Sequence, residues 1–149
     1  MFQNYSFDGF NVIHIDWILP FQNETFQSYA FRISENMNDE NAILIGLSFG
    51  GMLSVEISKI KKFKKIFLLS SAKTMFEIPL YYRVLGKLNL LKIIPVSFFK
   101  SVNFLTYLVF GAKTNSEKNL LKDIVKNTES SFMKWALHQI INWKNKDFD

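Results

Sequence analysis

The stretch Ala42-Ile43-Leu44-Ile45-Gly46-Leu47-Ser48-Phe49-Gly50-Gly51-Met52 decides the fold. Its first four residues are apolar and rich in β-branched side chains, which suits a buried strand. Gly46 to Gly51 then form a tight, glycine-rich turn with a serine at its apex, and residues 52–60 continue as an amphipathic helix. A serine forced into a strained turn brings the residues two positions either side of it within backbone contact, and only very small residues fit there. Gly46 and Gly50 supply them, and Gly51 lets the following helix approach the sheet closely. The helix points its first amides and the positive end of its dipole at the serine, where negative charge would be stabilised.

An ordinary strand-to-helix turn with a solvent-facing serine would use some of the same residues. The β-rich run, the doubled glycine and the immediate helix together favour a more specific reading. Strand, Gly46-Leu47-Ser48-Phe49-Gly50 and helix in this order resemble the nucleophile elbow, G-x-S-x-G, of the α/β-hydrolases. The resemblance implies Ser48 as nucleophile and the Phe49 backbone N–H as one oxyanion donor, with Gly46, Gly50 and Gly51 as the elbow backbone.

Upstream, Asn11-Val12-Ile13-His14-Ile15-Asp16-Trp17 is a short β-rich run between Asp8-Gly9 and Pro20, which predicts a strand. His14 falls in its middle and reads as a packed strand residue rather than a base. Asp16, nearer the carboxyl end where catalytic groups of parallel sheets gather, is the better candidate for polar work, with a loop-capping role as the plainer alternative. Asn23 and Glu24 are start signals for a helix whose apolar stripe is Phe26, Tyr29, Ala30, Ile33 and Met37, ended by residues 38–41. Downstream of the turn, Lys65-Ile66-Phe67-Leu68-Leu69-Ser70-Ser71 predicts a third strand, apolar enough to be buried on both faces. The order strand, helix, strand, helix, strand implies an α/β fold of about three parallel strands joined by right-handed crossovers.

After Ser71 the pattern becomes helical, with segments at about 79–91, 95–110, 116–127 and 129–144. Thr114 and Glu117 form a capping box, and Thr128 is the expected N-cap of the last helix. Phe98, Phe99, Phe104, Tyr107, Phe110, Phe132 and Trp135 give these helices large apolar faces, serving both helix packing and an acyl-lining cap. The expected division is therefore a core at 1–74 carrying the serine turn and a helical cap at 75–149.

Composition sets outer limits. With 149 residues, 48% hydrophobic and 16% aromatic, the chain is large enough for one apolar core. It has no cysteine, which excludes disulfides, a thiolate nucleophile and cysteine-based metal sites and agrees with an expected cytoplasmic location. The net charge of +5 comes from scattered lysines and one cluster, Lys59, Lys61, Lys62, Lys64 and Lys65. That cluster sits where a helix should end, and cations there complement the helix C-terminus, so it reads as a solvated face. No nucleic-acid motif accompanies the charge. No signal peptide is visible at the N-terminus, and the apolar stretch 95–112 contains Lys100 and Asn103, which make it a poor membrane span.

Residues 12–71 resemble the middle of the α/β-hydrolase fold, and the later helices look like the cap many members insert. Ile15-Asp16-Trp17, Ser48-Phe49-Gly50-Gly51-Met52, Ser70-Ser71-Ala72-Lys73 and Trp135-Ala136 are similar to a group of bacterial hydrolases. The family carries its acid and histidine on loops beyond the cap. His138 is the only histidine after Ser48, and it falls inside a helical pattern. Glu77 follows the third strand, where some lipases hold the acid; both are minor candidates. The resemblance also implies a central strand that comes earlier in sequence than residues 12–17 but lies in the sheet between them and the serine strand, with the second oxyanion amide on the loop after it. The chain is thus expected to be an internal piece of a hydrolase of about 250 residues. The expected activity is hydrolysis of an ester, thioester or related acyl substrate with an apolar acyl group, without cofactor or metal. The alternative is an inactive fragment or partner-binding subunit that self-associates through unpaired strand edges.

Overall fold

The computed structural model describes residues 7–80 and 114–147. Its centre is a strand–helix–strand unit. β1 (Ile43–Leu47) leads into α2 (Phe49–Ser58), which returns to β2 (Lys65–Leu69); a first helix, α1 (Phe26–Ile33), precedes β1. The two strands are parallel, in a register that pairs Ile43 with Lys65 and Leu47 with Leu69. Lys64 N–H to Ala42 O and Ser48 N–H to Leu69 O, both 2.9 Å, extend the ladder at its two ends.

Alternation along the strands separates two faces. Leu44 and Gly46 are buried, and Ile66 and Leu68 pack beside them against the core. The helix α2 is buried from Gly51 to Ile57. Ile45, Phe67 and Leu69 lie on the opposite face and are exposed, Phe67 at 46%. The expectation that the 65–71 strand is buried on both faces is therefore corrected: among the described residues, helices cover only one side of the sheet.

The expected strand at 11–17 is also corrected. Those residues adopt no regular structure, and the described sheet has two strands, not three. A strand exists by sharing a hydrogen-bond ladder with a neighbour, and β1 pairs only with β2 among the described residues. Ile13 is accordingly 78% exposed. The segment is tied down at its far end instead: the Tyr29 hydroxyl donates to Ile18 O (2.9 Å) and accepts from Ile18 N–H (3.3 Å), while Arg32 Nη2 donates to Leu19 O (2.9 Å).

In α1 the N-cap is Thr25, whose hydroxyl accepts from Ser28 N–H at 3.1 Å. Asn23 takes a positive φ of 59° in the preceding turn. Glu24 accepts from Phe21 N–H and from the Arg32 fork, with Nε to Oε1 at 3.0 Å and Nη2 to Oε2 at 2.8 Å. The expected stripe is buried at Phe26, Tyr29 and Ala30; Ile33 and Met37 sit half-buried at its edge.

Two further helices are described, α3 (Asn115–Asn127) and α4 (Ser130–Asn142). The Thr114–Glu117 capping box is formed, with Glu117 N–H on Thr114 Oγ1 (3.2 Å) and Thr114 N–H on Glu117 Oε2 (2.8 Å). Thr128 does not cap α4. Its hydroxyl turns back to donate to Ile124 O at 2.6 Å, closing α3, and Glu129 occupies the N-cap position without a side-chain capping bond. The α4 residues Phe132 and Ala136 share one apolar cluster with Phe26, Tyr29, Met52 and Val55. The helices expected at 79–91 and 95–110 lie, but for residues 79 and 80, outside the described residues. No described helix is long and apolar enough to cross a membrane.

Candidate functional site

Ser48 is an exposed residue between β1 and α2, with φ 51° and ψ −120°. A side chain at positive φ is strained, and such strain persists only where the surroundings over-determine it. Here they do. The Ser48 N–H is held by Leu69 O, and its carbonyl accepts from Gly51 N–H (2.9 Å), Met52 N–H (3.3 Å) and the Ser71 hydroxyl (2.7 Å). The Ser48 side chain makes no capping bond.

The glycines divide the work differently from the sequence expectation. A Cβ at Gly46 would meet the Gly50 carbonyl oxygen, Ser54 Oγ at 2.5 Å and Gly51 Cα at 2.6 Å, so this position has no room for a side chain. A Cβ at Gly51 would overlap Ser71 Cβ and Oγ. At Gly50 it would meet only the Trp17 ring at 3.8 Å, an ordinary contact. The small size demanded by the turn is thus carried by Gly46 and Gly51; Gly50 contributes the carbonyl that Gly46 must avoid.

Phe49 begins α2, so its N–H has no intrahelical acceptor. The next amides, of Gly51 and Met52, turn back onto Ser48 O, which leaves the Phe49 and Gly50 amides without an acceptor among the described residues. The Phe49 ring enters an aromatic cluster. It stacks on Phe26 (5.0 Å between centroids) and contacts Trp17 (5.6 Å), Trp135 (5.9 Å) and Phe132 (6.2 Å). Trp135 Nε1 donates to Glu24 O at 2.8 Å, which fixes α4 against the start of α1. A cleft of about 320 Å³ opens between Trp17, Ile18 and Leu19 on one side and Asn127, Thr128, Glu129 and Phe132 on the other. Ser48 does not line it; Trp17 and Phe132 join its wall to the rings around Phe49.

The other expected polar residues are not gathered at Ser48. His14 and Asp16 are exposed on the irregular segment. His138 is half-buried within α4, and its carbonyl accepts from Asn142 Nδ2 at 2.9 Å. Glu77 closes the loop after β2 by accepting from Lys73 N–H at 2.9 Å. No histidine hydrogen-bonds Ser48 among the described residues, and no cluster of three or more His, Cys, Asp or Glu stands together there.

Two polar groups were missed in the sequence. Ser71 reaches Ser48, and the strand register carries that signal: with Leu47 opposite Leu69, the residues leaving both strands must be neighbours. Glu56, only 3% exposed on α2, binds Trp143 Nε1 (2.7 Å), Lys59 Nζ (2.6 Å) and Gln27 Nε2 (3.2 Å). It fastens the segment after α4 and the start of α1 to the helix that follows Ser48. No sequence spacing marked it. Lys59 and Lys61 are occupied by Glu56 and Asn38, and the remaining lysines of the cluster are exposed.

No family model matches the chain, no curated protein matches it in sequence, and no solved structure matches it in fold.

Proposed function

We propose that this chain carries the nucleophile turn of a serine hydrolase of the α/β-hydrolase type, acting on an ester, thioester or related acyl substrate. The observation that carries the reading is the backbone of Ser48, held at φ 51° and ψ −120° between a parallel strand and a helix. A strained, exposed serine at this junction is the arrangement by which a hydroxyl is presented to a carbonyl carbon while helix amides face the developing oxyanion. In this reading Ser48 Oγ attacks, the Phe49 N–H receives the oxyanion, and a base and acid complete the triad from residues other than those bonded to Ser48 here. The two-stranded unit then belongs to a larger parallel sheet. The aromatic cluster about Phe49 favours an apolar acyl group.

A second reading has its own support. The exposed strand residues Ile45, Phe67 and Leu69, and the lack of a histidine on Ser48 among the described residues, suit a subunit that binds a partner or a second copy without turnover. Labelling with a fluorophosphonate separates the two. Covalent labelling that disappears in Ser48→Ala supports the nucleophile; a native chain that stays unlabelled while forming a stable complex supports the second reading.

A further inference from the structure

We propose that Ser71 is a positioning residue that aims the Phe49 amide, through a hydrogen bond to the carbonyl of Ser48; the inference rests on the nucleophile reading above for its functional meaning. The register of the sheet brings the two strand exits together. Leu47 lies opposite Leu69, the Ser48 N–H closes the ladder on Leu69 O, and both strands then leave through a serine at positive φ, 51° at Ser48 and 46° at Ser70. The second turn delivers Ser71, whose Oγ donates to Ser48 O at 2.7 Å.

A peptide unit is planar and trans, so the carbonyl of Ser48 and the N–H of Phe49 point in opposite directions from one rigid plate. A donor that holds the carbonyl therefore fixes the direction of the amide. Gly51 N–H and Met52 N–H also reach this carbonyl, but they belong to α2 itself and move with it. Among the described residues Ser71 is the donor from outside the helix, and it ties the plate to the exit of the neighbouring strand. This also accounts for the second glycine of the pair: a Cβ at Gly51 would occupy the space of Ser71 Cβ and Oγ, so Gly51 keeps the approach open.

The test uses the full chain with Ser71→Ala, Ser71→Thr and Gly51→Ala. Two readouts are taken, the rate of fluorophosphonate labelling and the amide spectrum with hydrogen exchange at Phe49, Gly51 and Met52. One net hydrogen bond corresponds to about a fivefold change in equilibrium, so Ser71→Ala is expected to slow labelling by about that factor or more. Its amide changes should be confined to residues 48–52. Ser71→Thr keeps the hydroxyl and should restore both signals, whereas Gly51→Ala, which displaces Ser71, should reproduce the alanine variant. Native labelling with an unchanged rate in Ser71→Ala overturns the inference and leaves the nucleophile reading standing. Native labelling that persists in Ser48→Ala counts against the nucleophile reading; without native labelling the amide signals alone decide: localised changes support the tie, and changes spread along α2 or absent altogether overturn it.

Discussion

Replacing Gly46 by alanine tests the turn most directly, because the added methyl has nowhere to go. Its Cβ would meet the Gly50 carbonyl oxygen, Ser54 Oγ at 2.5 Å and Gly51 Cα at 2.6 Å. Two of these atoms are backbone in the first turn of α2. That turn is pinned by Gly51 N–H to Ser48 O at 2.9 Å and by Ser54 Oγ to Gly50 O at 2.8 Å. Overpacking a closed site costs about 1–3 kcal/mol, and contact with backbone argues for the upper end. Alanine gains back roughly 0.4–1 kcal/mol by restricting the unfolded chain. The net expectation is a loss of about 2 kcal/mol. Gly50→Ala is the matched control: its methyl meets only Trp17 at 3.8 Å, so the unfolded-state gain of about 0.4–1 kcal/mol should remain. Urea unfolding followed by far-ultraviolet circular dichroism should separate the two midpoints by about 1 M or more, given slopes of about 1–3 kcal/mol/M for small proteins. Equal midpoints, or a more stable Gly46→Ala, would refute the turn geometry described here.

Ser48→Gly should stabilise the fold by about 1 kcal/mol by releasing the positive-φ strain while abolishing fluorophosphonate labelling, a combination that ordinary loss of a contact would not produce. Trp143→Phe removes the indole donor from the buried Glu56 carboxylate; a hydrogen bond to a charged group is worth about 1.5–3 kcal/mol, and denaturation of the variant reads that loss. The Arg32 guanidinium, hydrogen-bonded to Glu24, holds that carboxyl below its usual 4.5. A carboxyl with a depressed pKa in the folded state contributes stability that is present above its unfolded value and is lost as pH falls through the folded one. The unfolding free energy should therefore decline below about pH 4.5, and Glu24→Gln should flatten that decline; an unchanged acid limb in the variant would count against the pair.

The elements that could be read from sequence were those whose stabilising contacts are local. The Thr114–Glu117 box satisfies α3 amides within four residues, and the Phe26–Tyr29–Ala30 stripe follows from helical periodicity. Residues 11–17 carry the same β-rich composition as β1, yet they form no strand, because a ladder depends on a partner that composition does not name. Thr128 shows the same limit on a smaller scale. A hydroxyl between two helices can serve either, and here it closes α3.

By itself, the sequence determined the strand, the serine turn and the helix of residues 43–58, since apolar run, glycines and helical periodicity act over neighbouring residues. Only the tertiary structure decided what surrounds that serine. The parallel register brought Ser71 onto the Ser48 carbonyl, close packing reserved Gly46 and Gly51 but not Gly50, and α4 brought Phe132 and Trp135 to the ring of Phe49. These are contacts between residues far apart in the chain, and their geometry is set by how the elements pack rather than by any pattern along it.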